Sequence, residues 1–165
     1  MNVSLHTVSL FLQGDEGAIA EVYQRYKALL FFIIATYVHR KEDCEDVYQN
    51  TFLKILDKRN TVLDPANLHA YLCATAKNEA IDFAKKNSSP YRDDDAFDNT
   101  PSAQESALDY FLPFDLSKEE KAIIGYKLTF GFTYREIGEF LAMPAPTVKL
   151  RYRTAINKIK GVYRK

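Results

Sequence analysis

With 165 residues, 47% of them hydrophobic, the chain can bury a real core and has room for one domain or two small ones. Its only cysteines, Cys44 and Cys73, stand far apart with no second cysteine or histidine at ligand spacing, which argues against a disulfide framework and a zinc site and for reduced thiols in a cytoplasmic protein. The net charge of zero conceals a partition: residues 1–86 carry 10 basic and 11 acidic side chains, residues 87–115 one and seven, and residues 116–165 eleven and four.

The N-terminus has no basic region followed by an apolar core, so no signal peptide is expected. A first helix is predicted from Asp15, a suitable N-cap, to about Val38. Its second half, ALLFFIIATYV from Ala28 to Val38, is about half of the ~20 residues a membrane span requires. Because it follows the amphipathic positions Ile19, Val22, Tyr23 and Tyr26, it reads as the buried half of a long helix, and no membrane insertion is expected. A second helix is predicted from about Glu42 to Lys58, with Glu42, Asp43, Glu45 and Asp46 near its positive end, where acids are favoured. Cys44, Val47, Tyr48, Thr51, Phe52, Ile55 and Leu56 form its buried stripe. The opposite face gathers Asp46, Gln49, Asn50 and Leu53, a polar patch with an apolar centre that suits docking of another protein; an ordinary solvated face with one stray leucine is the alternative.

A third helix is predicted after Asp64 and Pro65, with Asn67 as cap, running through Leu68, Tyr71, Leu72, Thr75, Ala76, Ala80 and Phe83 to Lys86. Its other face carries Lys77, Asn78, Asp82, Lys85 and Lys86, which suits either a solvated amphipathic helix or backbone contact and base stacking on a single strand beside Tyr71. From Asn87 to Asp115 the chain is rich in Pro, Ser, Asn and Asp without apolar periodicity, the signature of an acidic linker.

The C-terminal segment reads TYREIGEFLAMPAPTVKLRYRTAINKIK from Thr133 to Lys160. Thr133 and Glu136 form a capping box, Ile137, Phe140 and Leu141 make one apolar stripe, and Pro144 ends that helix. A second helix restarts beyond it, where Pro146 is tolerated in the first turn. Val148, Tyr152, Ala155 and Ile159 should face inward, leaving Lys149, Leu150, Arg151, Arg153, Thr154, Asn157 and Lys158 to the outer and flanking surfaces. From Pro144 to Lys165 there are seven basic residues and no acid. A capped helix, a turn and a basic second helix have the layout of a helix-turn-helix, for which a phosphate backbone is the natural partner; a solvated basic face is the plainer reading.

Taken in order, DCEDVYQNTFLKIL (Asp43 to Leu56), AYLCATAKNEAIDFAKK (Ala70 to Lys86), an acidic linker and this reader resemble bacterial RNA polymerase sigma factors of the extracytoplasmic-function (ECF) type. The C-terminal part alone also resembles the DNA-binding domains of LuxR-type regulators. The ECF resemblance implies an all-α protein of two small helical domains: region 2 over residues 1–86, a flexible acidic linker over 87–115, and region 4 over 116–165. It further implies that region 2 binds the clamp helices of core RNA polymerase and opens the -10 element, while region 4 binds the -35 element and the polymerase flap.

Carried over by position, the family's core-binding pattern falls on Asp46, Gln49, Asn50 and Phe52, with Asn50 where glutamate is usual, and Leu53 lies beside it. The -10 pattern falls on Tyr71, Lys77, Asn78, Lys85 and Lys86, with Asn60 in the preceding loop (Arg59 to Asn67), which would receive a flipped base. Tyr for Trp and Lys for Arg keep aromatic and positive character but lose bidentate phosphate contacts. The -35 set is Thr133, Tyr134, Thr147, Lys149, Leu150, Arg151, Arg153 and Lys158. Ala142 replaces the family's turn glycine, at a cost of about 1 kcal/mol if that residue is left-handed. Leu150 replaces a polar residue and suits a thymine methyl. The linker would pass through the polymerase's RNA-exit path as a nucleic-acid mimic, unless it is simply a soluble connector. An anti-sigma factor is the implied regulatory partner. His6, His39 and His69 are scattered, and no Gly-rich phosphate loop or metal spacing occurs, so no catalytic residues, metal or cofactor are expected. A stand-alone helix-turn-helix regulator and a degenerate sigma-like interaction module remain the competing readings.

Overall fold

The computed structural model describes residues 3–62, 64–87, 108–109 and 115–163. Every regular element among them is helical, and the chain divides into two compact units, Met1–Gln104 and Glu105–Lys165. Most of the segment expected as a linker lies outside the described residues. Of its described positions, Asn87 closes a helix, Leu108 is fully buried in the second unit, and Asp109 forms an ion pair with Lys121 there.

In the first unit, α1 (Leu5–Gln13) is capped by Ser4, whose hydroxyl accepts from the Thr7 amide, and ends on Gly14 in the left-handed conformation. α2 (Glu16–Tyr37) starts where expected, with the Asp15 carboxylate accepting from the Ala18 amide at 2.8 Å. α3 spans Lys41–Asp57 and α4 spans Leu68–Asn87, with short 3₁₀ turns at Arg59–Thr61 and Pro65–Asn67 between them. α2 packs against α1, α3 and α4. Its apolar run supplies the centre: Leu29, Leu30, Phe32, Ile33, Ile34 and Ala35 are all essentially inaccessible. A helix segment apolar on all sides is stable only when wrapped, and each buried Leu, Ile or Phe side chain contributes about 1.5–3 kcal/mol by leaving water. No helix among the described residues is long and apolar enough to cross a membrane.

The second unit opens with α5 (Lys118–Ile124), which carries a capping box between Ser117 and Glu120, and continues into a π-helical turn over Gly125–Thr129. α6 (Tyr134–Leu141) and α7 (Ala145–Tyr163) follow. The capping box at Thr133 is present in full, its hydroxyl accepting from the Glu136 amide while the glutamate accepts from the Thr133 amide. Tyr126, Phe132 and Phe140 form an aromatic trio with centroids 5.4–5.5 Å apart. On α7, Val148 and Ala155 are fully buried, and Tyr152, Ile156 and Ile159 are partly buried against Leu116 and Ile124 or Ala155.

The turn between α6 and α7 is set by two small residues. Ala142 adopts φ 53° and ψ 44°, the left-handed conformation that disfavours any Cβ, and it is the sole positive-φ non-glycine residue among those described. Gly138 is buried in α6, and a Cβ there would stand 2.5 Å from the Met143 carbonyl oxygen. The Gly138 carbonyl accepts from the amides of Ala142 and Met143, so the turn closes directly over it. Two substitutions therefore act in opposite directions. Ala142→Gly should stabilise the second unit by about 0.5–1 kcal/mol, the relief of strain exceeding the added unfolded-state entropy, whereas Gly138→Ala should cost about 1–3 kcal/mol through backbone collision. Urea denaturation of the full chain, followed by amide exchange in α6 and α7, reads both.

Candidate functional site

α3 positions the first candidate surface. Val47, Tyr48, Thr51, Phe52 and Ile55 turn inward, and the Thr51 hydroxyl is anchored to the Val47 carbonyl at 2.6 Å. The reverse side then presents Asp46, Gln49, Asn50 and Leu53, all exposed, with Leu53 64% accessible. Phe52 separates from this group. It is buried, with its ring edge-on to Tyr23 at 4.8 Å, and supports the face from beneath. Beside it Tyr48 is held neutral: burial pushes its phenol up, and the neighbouring Tyr23 adds to the effect. Lys54 is tied to Glu79 on α4, which raises the ammonium pKa and fixes the edge of the face.

The second surface lies on α4 and the turn before it. Tyr71, Asn78 and Lys85 recur every seven residues and so share one stripe, flanked on opposite sides by Lys77 and Lys86. Asn78, Lys85 and Lys86 are exposed, while Tyr71 and Lys77 are half-buried. Asn60 is exposed on the turn Arg59–Thr61, which is closed by the Thr61 amide and hydroxyl on the Lys58 carbonyl. Asp82 stands in the same α4 stripe and tempers its positive charge.

The third surface is α7 and the start of α6. Lys149, Leu150 and Arg153 are exposed and adjacent on the helix, Leu150 with 65% of its surface accessible, and Thr147 is half-buried at the first turn. Thr133 is occupied as the α6 cap. Tyr134 is half-buried against Tyr152 at 5.7 Å, with the Lys127 ammonium 4.8 Å from its ring centroid. Two members of the expected basic set are engaged within the unit: Arg151 pairs with Glu119, and Lys158 reaches both oxygens of Glu120 at 2.7 and 2.8 Å. These two acids of α5 offset a charge that the sequence of α7 alone leaves unopposed. Lys158 and Glu120 stand 38 residues apart, so local spacing along α7 carries no sign of the pairing.

Glu120 couples this surface to pH. Burial alone would raise its carboxyl pKa, but the Lys158 ammonium and the Ser117 amide outweigh that and hold it below its ordinary 4.5. A folded-state pKa below the unfolded one adds stability above the unfolded value, which is lost as pH falls through the folded value. Denaturant midpoints of the full chain should therefore decline below about pH 4.5, and Glu120→Gln should flatten this acid limb while lowering stability at neutral pH.

No group of three His, Cys, Asp or Glu side chains among the described residues is placed to hold a metal, and both cysteines are buried free thiols.

Residues 22–89, covering most of α2 together with α3 and α4, match the sequence family Sigma-70 region 2. No curated protein matches the chain significantly. Among solved structures, the chain is similar to CnrH, determined in complex with the cytosolic domain of CnrY: 17% identity, TM-score 0.59, covering 97% of this chain and 96% of that one. It also aligns with a chain of the RsbN-BldN complex at 17% identity and a TM-score of 0.43, covering 94% of this chain and 98% of that one. The likeness to CnrH extends the shared all-α fold across both units, and the bundle formed by residues 22–89 is a sigma-70 region 2 domain.

Proposed function

We propose that the protein is an alternative sigma factor of the ECF type, which joins core RNA polymerase and directs it to promoters. The observation that carries this reading is the sigma-70 region 2 match over a bundle whose α3 leaves Asp46, Gln49, Asn50 and Leu53 exposed together. An apolar side chain ringed by polar ones suits a docking face, with Leu53 as its anchor, and the clamp helices of the polymerase are the partner proposed for it. A stand-alone helix-turn-helix regulator gives the region 2 domain no task.

In the proposed mechanism α7 enters the -35 major groove. Lys149 and Arg153 contact phosphates or base edges, and Leu150 packs against a thymine methyl. Arg151 and Lys158 begin paired to Glu119 and Glu120, so their contacts with DNA come by exchange and contribute less than their charge alone suggests. Thr133 and Tyr134 orient α6 over the backbone. After melting, Asn60 and the α4 set of Tyr71, Lys77, Asn78, Lys85 and Lys86 hold the -10 strand by stacking and backbone contact. Every role here is one of binding and positioning, and no covalent step is required.

CnrH was solved with the cytosolic domain of CnrY, and we extend a partner of that kind to this chain: an anti-sigma factor that covers the polymerase-binding faces.

In vitro transcription with core polymerase on a promoter library tests the reading. Wild type should start transcripts at a shared -35/-10 pattern, and Asp46→Arg combined with Gln49→Ala should abolish them by preventing holoenzyme formation. Loss of initiation without loss of core binding would remove the docking face assigned here. Lys149→Ala and Arg153→Ala should each weaken promoter binding and, where the contact is to phosphate, reduce the salt dependence by about one counterion.

A further inference from the structure

Arg59 follows α3 and opens the turn that carries Asn60. Its Nη1 donates to the Leu56 carbonyl at 2.6 Å, in the last turn of α3, where carbonyls lack intrahelical partners. The same guanidinium lies against the end of α1. A Cβ built on Gly14 would stand 2.8 Å from Nη2 and 3.5 Å from Cζ, so the absence of a side chain at Gly14 makes the seat. Gly14 has φ 89° and caps α1, its amide directed to the carbonyls of Leu10 and Phe11. One cation thus sits at the negative ends of two helices, where positive charge is favoured. The Arg59 Nε is buried without a hydrogen bond, so fit between the two helix ends, not a wider polar network, holds the side chain. α1 also packs against both 3₁₀ turns of the loop.

We infer that Arg59 is a positioning residue for the -10-reading turn, pinning the segment that holds Asn60 to the C-terminal end of α1 with Gly14 as its seat. This rests on the initiation reading above. It gives α1, which lies outside the region 2 match, a part in strand capture: the helix braces the loop that receives the melted strand. Lysine is an incomplete substitute, since a single ammonium cannot cap α3 and lie along α1 with the planar fork of a guanidinium.

The test compares Arg59→Met, Arg59→Lys and Gly14→Ala with wild type in the full chain. Three readouts are taken: amide hydrogen exchange of the free protein, affinity for core polymerase, and permanganate reactivity of the melted strand in holoenzyme on a promoter selected from the library. Arg59→Met should speed exchange about tenfold at the end of α1 and at residues 59–62 while leaving the cores of α2, α3 and α4 unchanged. It should also lower strand opening about tenfold at unchanged core affinity. Gly14→Ala should give the same signature, and Arg59→Lys should recover part of the lost opening.

Wild-type exchange rates in Arg59→Met would overturn the pin. Faster exchange spread through α2 to α4, or core affinity falling in step with strand opening, would make Arg59 a general stabiliser and overturn the positioning role. Altered exchange with undiminished opening would also overturn it. A wild-type holoenzyme that opens no promoter overturns the initiation reading and the positioning role with it, while the exchange data still decide whether Arg59 joins the turn to α1.

Discussion

The first unit depends on wrapping one helix segment. Residues 29–35 of α2 are apolar around most of the helix circumference, so no single partner can keep them from water, and α1, α3 and α4 are each required on a different side. Once α3 is committed to α2 by Val47, Tyr48, Phe52 and Ile55, its remaining face has no freedom to rotate. Asp46, Gln49, Asn50 and Leu53 are presented outward as a by-product of burial. The face proposed for docking is therefore held on a rigid element by the same contacts that fold the unit, and the Tyr23, Tyr48 and Phe52 rings beneath it fix its distance from α2.

The second unit is organised differently. Its core is small and aromatic around Tyr126, Phe132 and Phe140, and much of its definition comes from helix ends: two capping boxes, a left-handed Ala142, and an acid pair on α5 directed at α7. Glu120 serves two purposes at once, closing the α5 cap and holding Lys158. Glu119 meets Arg151 on a more open surface, where screening keeps the pairing weak. α7, the helix proposed to read DNA, is thereby oriented by acids of its own unit without being strongly bound by them.

Much of this was legible in the sequence because the signals are local. The spacing from Cys44 to Ile55 placed the α3 stripe, Asp15 and Thr133 marked helix starts, and the mismatch at Ala142 followed from one substitution in a turn pattern. What escaped was nonlocal or short. α1 is nine residues with a buried stripe of only Val8 and Phe11, too little periodicity to stand out, although Ser4 and Gly14 bracketed it. Phe52 fits both a motif position and a core position, and only packing separates the two. The pairing of Arg151 and Lys158 with α5 required tertiary placement, since residue charges along α7 carry no record of acids brought back from earlier in the chain. The seat of Arg59 at Gly14 joins positions 45 residues apart and leaves no pattern in either segment.

The turn between α6 and α7 also constrains how this sequence can drift. At position 138 any side chain forces the backbone to shift, because the Met143 carbonyl occupies the space where one would begin. Position 142 has the reverse character: its alanine is exposed and strained, so the backbone there admits glycine or asparagine more readily than what it now holds. The two neighbouring small residues are thus not interchangeable under mutation. At one a Cβ collides with backbone, and at the other a single substitution to glycine relieves strain and firms the turn.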